Sequence, residues 1–155
     1  MPQPPDVTPA SDATERDTIV RELALHAMAA LRALQHLAQR AFEPLGLSPS
    51  QVVVLLMIQR GVDQPKALAE QLETVQSAVS AVLRELQRRG LVARAVDASD
   101  RRRVHLQVTG AGLATLERAG DVWLATAAER LAGVPLEDLR ATSHVVDLIT
   151  RTGQP

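Results

Sequence analysis

The chain has 155 residues, a formal net charge of −1, 46% hydrophobic and 23% charged residues, and no cysteine. This length suits one compact domain, and the composition excludes a wholly disordered chain. The missing cysteine excludes disulfides, thiolate metal sites, a thiol nucleophile and thiol-based redox sensing. With one Phe, one Trp and no Tyr, the core falls to Leu, Val, Ala, Ile and Met, which favours helices packed on helices over a large sheet. No apolar run is long enough to span a bilayer. The start, Met1 to Asp12, lacks the basic and apolar segments of a secretory signal. A soluble cytoplasmic protein without membrane contact is the expectation.

Charge is unevenly placed. From Arg84 to Arg103 there are seven arginines against three acids, whereas Met1 to Glu22 holds five acids against two arginines. A local basic face on a near-neutral chain points to an anionic partner bound at one place.

In chain order, residues 1–13 read as a flexible tail with four prolines and no apolar period. A long helix is expected over 14–42, with Ile19, Leu23, Met28, Leu31, Leu34 and Leu37 at helical spacing and Pro44 beyond its end. Ser48-Pro49-Ser50-Gln51 reads as a capping box with proline at the first helical position. It opens a helix over the apolar run Val52–Ile58, buried nearly all round. Pro65 starts a short helix to Leu72 with Leu68 and Leu72 inward. A further helix follows from Val75 to Arg89, burying Val75, Val79, Val82, Leu83 and Leu86, and Gly90 ends it.

The period then changes. Leu91–Val96 and Val104–Val108 read as strands, joined by the polar turn Asp97-Ala98-Ser99-Asp100-Arg101-Arg102-Arg103. Thr109 caps a second long helix, about 110–132, with Leu113, Leu116, Trp123, Leu124, Ala127 and Leu131 inward. After Gly133-Val134-Pro135 a last helix runs to Arg151. The fold class expected is mainly α with a small β-hairpin wing: a winged helix-turn-helix domain plus a helical region, about six helices in all.

The segment from Pro65 to Val108 carries the functional reading. In a helix-turn-helix the second helix enters the major groove with its N-terminal exposed residues. Here the outward set is Gln76, Ser77, Ser80, Ala81, Arg84 and Gln87. Gln pairs with adenine in bidentate fashion, Arg with guanine, and Ser with bases or phosphates. The DNA-contacting residues expected are Gln76, Ser77, Ser80 and Arg84 on this helix. Arg101, Arg102 and Arg103 join them at the hairpin tip, where a narrow minor groove attracts arginine. An Asp100–Arg102 pair would stiffen the tip.

These stretches resemble the multiple-antibiotic-resistance regulator (MarR) family of winged-helix proteins. The resemblance runs from Leu47 to Leu116. It rests on Leu47-Ser48-x-x-Gln51, Leu68-Ala69, Val79-Ser80-x-x-Leu83-x-x-Leu86, Arg89-Gly90-Leu91-Val92-x-Arg94, Asp97-x-x-Asp100-Arg101-Arg102 and Val108-Thr109-x-x-Gly112. Two departures stand out: Val75 where many members have Ser, and Ser80-Ala81 where a Thr-Arg pair is frequent.

The resemblance implies a homodimer in which residues 14–46 and 110–151 form the dimerisation helices. Residues 47–109 would form the DNA-binding domain, and 152–155 a tail. It implies a pseudo-palindromic double-stranded operator, read by recognition helices one DNA turn apart, roughly 34–36 Å. It also implies a repressor released when a small aromatic or anionic ligand binds near the junction of the two regions. His36, Arg40, Met57 and Trp123 are the candidates for that site. No cofactor and no metal are implied. The alternative is a winged helix used for protein–protein contact without DNA. An enzyme is not expected: His26, His36, His105 and His144 fall in no metal-spaced or triad-like motif, and no Gly-rich phosphate loop is present.

Overall fold

The structure is a computed structural model that describes residues 9–96 and 104–152. In chain order these residues form α1 (Pro9–Phe42), α2 (Pro49–Gln59), α3 (Pro65–Gln71) and α4 (Gln76–Arg88). They continue with β1 (Val92–Val96), β2 (Val104–Val108), α5 (Gly110–Leu131) and α6 (Leu136–Thr152).

The first helix starts at Pro9, five residues earlier than the sequence reading puts it. Pro9 has no N–H to lose in a first turn, so the tail expected over 1–13 is helical from Pro9 onward. A short 3-10 turn, Glu43–Leu45, follows α1, and Gly46 at φ 63° lets the chain reverse. The capping box forms as expected: the Ser48 side chain accepts from the Gln51 amide at 3.2 Å, and the Ser48 amide donates to Gln51 Oε1 at 2.8 Å. The cap decides the apolar run in favour of a helix. That helix is not buried all round, because Val53 stays 41% exposed while Val52, Val54, Leu55 and Ile58 are buried.

Helices α2, α3 and α4 share one core, in which Leu55, Leu68 and Leu86 are each 0% exposed. Burying one leucine side chain is worth about 1.5–3 kcal/mol, so these three do much to fix the arrangement. The turn from α3 to α4 passes through Glu73 at φ 48°, the one described non-glycine residue with positive φ. The strands pair antiparallel with Val92 opposite Val108 and Val96 opposite Val104. Leu91, Val92 and Leu106 are buried under the hairpin, and the Leu106 amide donates to the Asp63 carbonyl at 2.9 Å, tying β2 to the loop after α2.

Thr109 links the wing to α5. Its hydroxyl donates to the Gly90 carbonyl at 2.6 Å and accepts from the Gly112 amide at 3.0 Å. Gly112 is packed so closely that a Cβ there would collide with the Leu91 carbonyl oxygen and with Val108 Cγ1. Phe42 and Trp123, with ring centroids 6.1 Å apart, join the end of α1 to α5.

Much of the helical region is bare. Leu113, Leu124 and Leu131 of α5, expected inward, are 44%, 68% and 44% exposed, and only Leu116 and Ala119 carry large burial along with Gly112. Ile19, Leu23, Met28, Leu31 and Leu34 of α1 are exposed, as are Val145, Val146, Leu148 and Ile149 of α6. The apolar period that predicts these helices is right, but the described residues leave the stripes uncovered.

Two substitutions test this packing. Ser48→Ala removes one cap bond and should cost about 1 kcal/mol. Gly112→Ala drives a methyl into backbone and should cost about 1–3 kcal/mol or more. Chemical denaturation checks both, and Gly112→Ala should be the worse.

Candidate nucleic-acid interface

Helix α4 is seated by one stripe. Val79, Leu83 and Leu86 are buried and Val82 is partly buried, as the 3.6-residue period requires. Val75 departs from the expectation. It is the N-cap residue with extended backbone (φ −78°, ψ 142°) and is 66% exposed, because a cap residue lies outside the helical period. No side chain caps this end. The first amides of α4 are therefore open to an anion, with the positive end of the helix dipole behind them.

Residues Gln76, Ser77, Ala81 and Arg84 are exposed, and so is the whole run from Glu73 to Ala78. Ser80 and Gln87 are half-buried rather than outward. Gln87 follows Leu83 by four positions and so shares its side of the helix; its Nε2 is buried without a hydrogen-bond partner.

The arginines of α4 differ in availability. Arg88 donates to both carboxylate oxygens of Glu85, at 2.8 and 2.6 Å. That bond holds the Glu85 carboxyl below the usual carboxylate range and raises the Arg88 guanidinium. Arg84 has only a 3.4 Å bond from its Nε to the Ser80 carbonyl and, among the described residues, no carboxylate partner. Arg94, which the sequence reading counts in the basic segment without giving it a contact, is exposed on β1, on the stem of the wing. Asp100, Arg101, Arg102 and Arg103 lie outside the described residues.

The four candidate ligand residues do not converge. His36 and Arg40 line a cleft of about 320 Å³ together with Leu34, Leu37 and Arg130. Arg130 is a cation that sequence spacing gave no means of placing beside α1. Trp123 lines a different, apolar cavity of about 280 Å³ with Phe42, Val52, Leu56 and Leu116. Met57 lines neither and packs on the edge of the core. Among the described residues no group of three His, Asp or Glu side chains is close enough to hold a metal ion. Among the described residues no single helix is long and apolar enough to cross a membrane.

The arrangement of α2, α3 and α4 followed by an antiparallel hairpin defines a winged helix-turn-helix protein. Residues 45–103 match the MarR family model. No match is found among curated proteins. Among solved structures, wild-type MarR from E. coli in its apo form is similar with a TM-score of 0.72 and 19% identity, over 82% of this chain and 96% of that one. A MarR family protein of Mycobacterium tuberculosis, in complex with p-aminosalicylic acid, is similar with a TM-score of 0.68 and 26% identity, over 83% and 97%. The YusO protein of Bacillus subtilis follows with a TM-score of 0.65 and 24% identity, over 87% and 96%.

The chain has the winged helix-turn-helix fold of these MarR structures, and its residues 45–103 are similar to the MarR family.

The pairing pattern generates an asymmetry between neighbouring arginines. Arg84→Ala should weaken binding to duplex DNA more than Arg88→Ala, since Arg88 is already taken up by Glu85. Fluorescence anisotropy at one fixed salt concentration compares them.

Proposed function

We propose that the protein is a homodimeric, sequence-specific regulator of transcription that binds a pseudo-palindromic duplex operator and acts as a repressor released by a small ligand. The observation that carries the DNA reading is the seating of α4. One buried stripe holds the helix, and its uncapped N-terminal end, with Gln76, Ser77 and Arg84, faces solvent. Gln76 and Arg84 are the residues for base edges, Ser77 and Ser80 for bases or phosphates. Arg101, Arg102 and Arg103 are proposed for the adjacent minor groove, with Asp100 holding Arg102.

The exposed apolar stripes of α1, α5 and α6 support the homodimer, because apolar surface of this extent on helices marks a protein partner. Residues 14–46 and 110–151 are proposed as the dimerisation helices and 47–109 as the DNA-binding domain. In this reading regulation is a shift between two states: a ligand with higher affinity for the DNA-free state lowers the population that binds DNA.

The two cavities that the candidate residues line are both open to a ligand. The apolar cavity at Trp123 suits a ring. The cleft with His36, Arg40 and Arg130 suits an anion, because neither guanidinium has an ion-pair partner among the described residues. The p-aminosalicylic acid held by the mycobacterial protein supports an aromatic carboxylate as the ligand class. No feature of the site favours catalysis.

Binding to duplex DNA should fall with salt. Neutralising about six phosphates per dimer gives a log–log slope of roughly −5. Arg101→Ala with Arg102→Ala should weaken binding across sequences and make that slope shallower, whereas Gln76→Ala should change base preference, by about 1–3 kcal/mol for a bidentate contact. Salt-independent binding, or none, would favour the protein–protein alternative. For the ligand, p-aminosalicylate titrated into the protein–DNA complex should release DNA, and Arg40→Ala with Arg130→Ala should blunt the release. If the compound binds the protein without moving DNA affinity, the release mechanism fails.

A further inference from the structure

The two halves of the subunit are joined by a bond that neither the DNA reading nor the ligand reading uses. Arg89 is the C-cap residue of α4. Its guanidinium reaches back across the subunit to the turn at the end of α1, where Nη1 donates to the Gly46 carbonyl at 2.6 Å and Nη2 to the Leu45 carbonyl at 3.1 Å. The two partners lie 43 and 44 residues away in sequence. Both carbonyls belong to a turn whose shape depends on Gly46 at φ 63°. A planar fork donating to two adjacent acceptors fixes orientation as well as distance. The side chain is half-buried; the bond to the Leu45 carbonyl is partly buried, whereas the bond to the Gly46 carbonyl is exposed.

This contact sits at a mechanical junction. Helix α1 packs on α5 and α2, whereas α4 packs on α2, α3 and β1. The Arg89 grip therefore joins the foot of the long helix directly to the end of the helix that faces DNA. With 34 residues in α1, at about 1.5 Å rise each, a small tilt at its foot becomes a large displacement at its far end, and the reverse holds.

We propose that Arg89 is a positioning residue that locks the angle between α1 and α4, and so sets the separation at which the two recognition helices of a dimer are held. The proposal rests on the dimeric DNA-reading assignment for its consequence, though not for its geometry. Loosening the grip lets α4 swing relative to α1, so the protein tolerates operators of several half-site spacings. Any event that moves the end of α1 is passed to α4 through this side chain.

The absence of cysteine makes a direct test practical. Arg21→Cys and Ala81→Cys, both at exposed positions, place one spin label on α1 and one on α4 of the full-length chain. Labelled chains are diluted into unlabelled chains so that each pair lies within one subunit, and electron–electron distances are measured without DNA. With Arg89 the distance distribution should be narrow. R89A should broaden it, and R89K should broaden it less, since an ammonium cannot reproduce the two-pronged contact. If R89A does not fold, R89K alone decides.

Unchanged distances in the folded variants, with only a lower melting temperature, would overturn the proposal and leave Arg89 a plain stabilising residue. In a second arm, bound duplexes are selected from a random pool. R89K should lose about tenfold or more of the wild-type preference for one half-site spacing, the loss expected for one hydrogen bond to a charged group. An unchanged spacing preference overturns the proposal. A wild-type chain that selects no duplex instead overturns the DNA reading, and the distance measurement still decides the grip.

Discussion

Val79, Leu83 and Leu86 hold α4 against the subunit by one face only, and the rest of the molecule's function depends on that restriction. A helix buried on two sides would hide Gln76, Ser77 and Arg84, and a helix without a stripe would not stay in place. The stripe meets Leu55 from α2 and Leu68 from α3 in one core, where both leucines are 0% exposed. Truncating any of these leucines would leave a cavity and cost about 2–5 kcal/mol, a large share of the stability of a domain this size. Core packing thus serves orientation as much as stability: the same contacts that stabilise the fold decide which side chains are left in solvent.

The ends of α4 are tied in different ways. At the N-terminus nothing caps the helix, so its amides remain open for an anion. At the C-terminus three local devices crowd together. Gly90 turns the chain at φ 68°, the Thr109 hydroxyl donates to the Gly90 carbonyl while capping α5, and Arg89 grips the turn below α1. The wing, the two long helices and α4 therefore meet within a few residues. A free end facing solvent and an anchored end facing the body form the arrangement expected of a reading head on a rigid support.

Most of this layout is legible in the sequence, and the reasons are local. Ser48 and Gln51 are three residues apart, so their reciprocal cap can be read before any packing is known. The alternation of Val104, Leu106 and Val108 and the glycine at position 90 likewise act over a few residues. What escapes the sequence is set by distant partners or by helix ends. Val75 looks like a member of the buried stripe, but it falls one residue before the helix and turns outward. Gln87 looks polar and therefore outward, but it shares the flank of Leu83. Pro9 reads as tail because three prolines precede it, although a proline in a first turn is harmless. Leu113, Leu124 and Leu131 have the right period, yet their stripe lies bare on a single subunit. Arg130 beside His36 and Arg40 is a pure consequence of how α5 crosses α1.

The central claim is that the exposed N-terminal face of α4 lies in the major groove, twice per dimer. Thr74 is exposed and lies two residues before α4, and the chain has no cysteine to interfere. An iron chelate carried by Thr74→Cys on a bound duplex would cut DNA where the helix end rests. The account predicts two clusters of cuts related by two-fold symmetry, with centres one turn apart, about 34 Å. A single cluster, or intact DNA under a protein that is demonstrably bound, would contradict it.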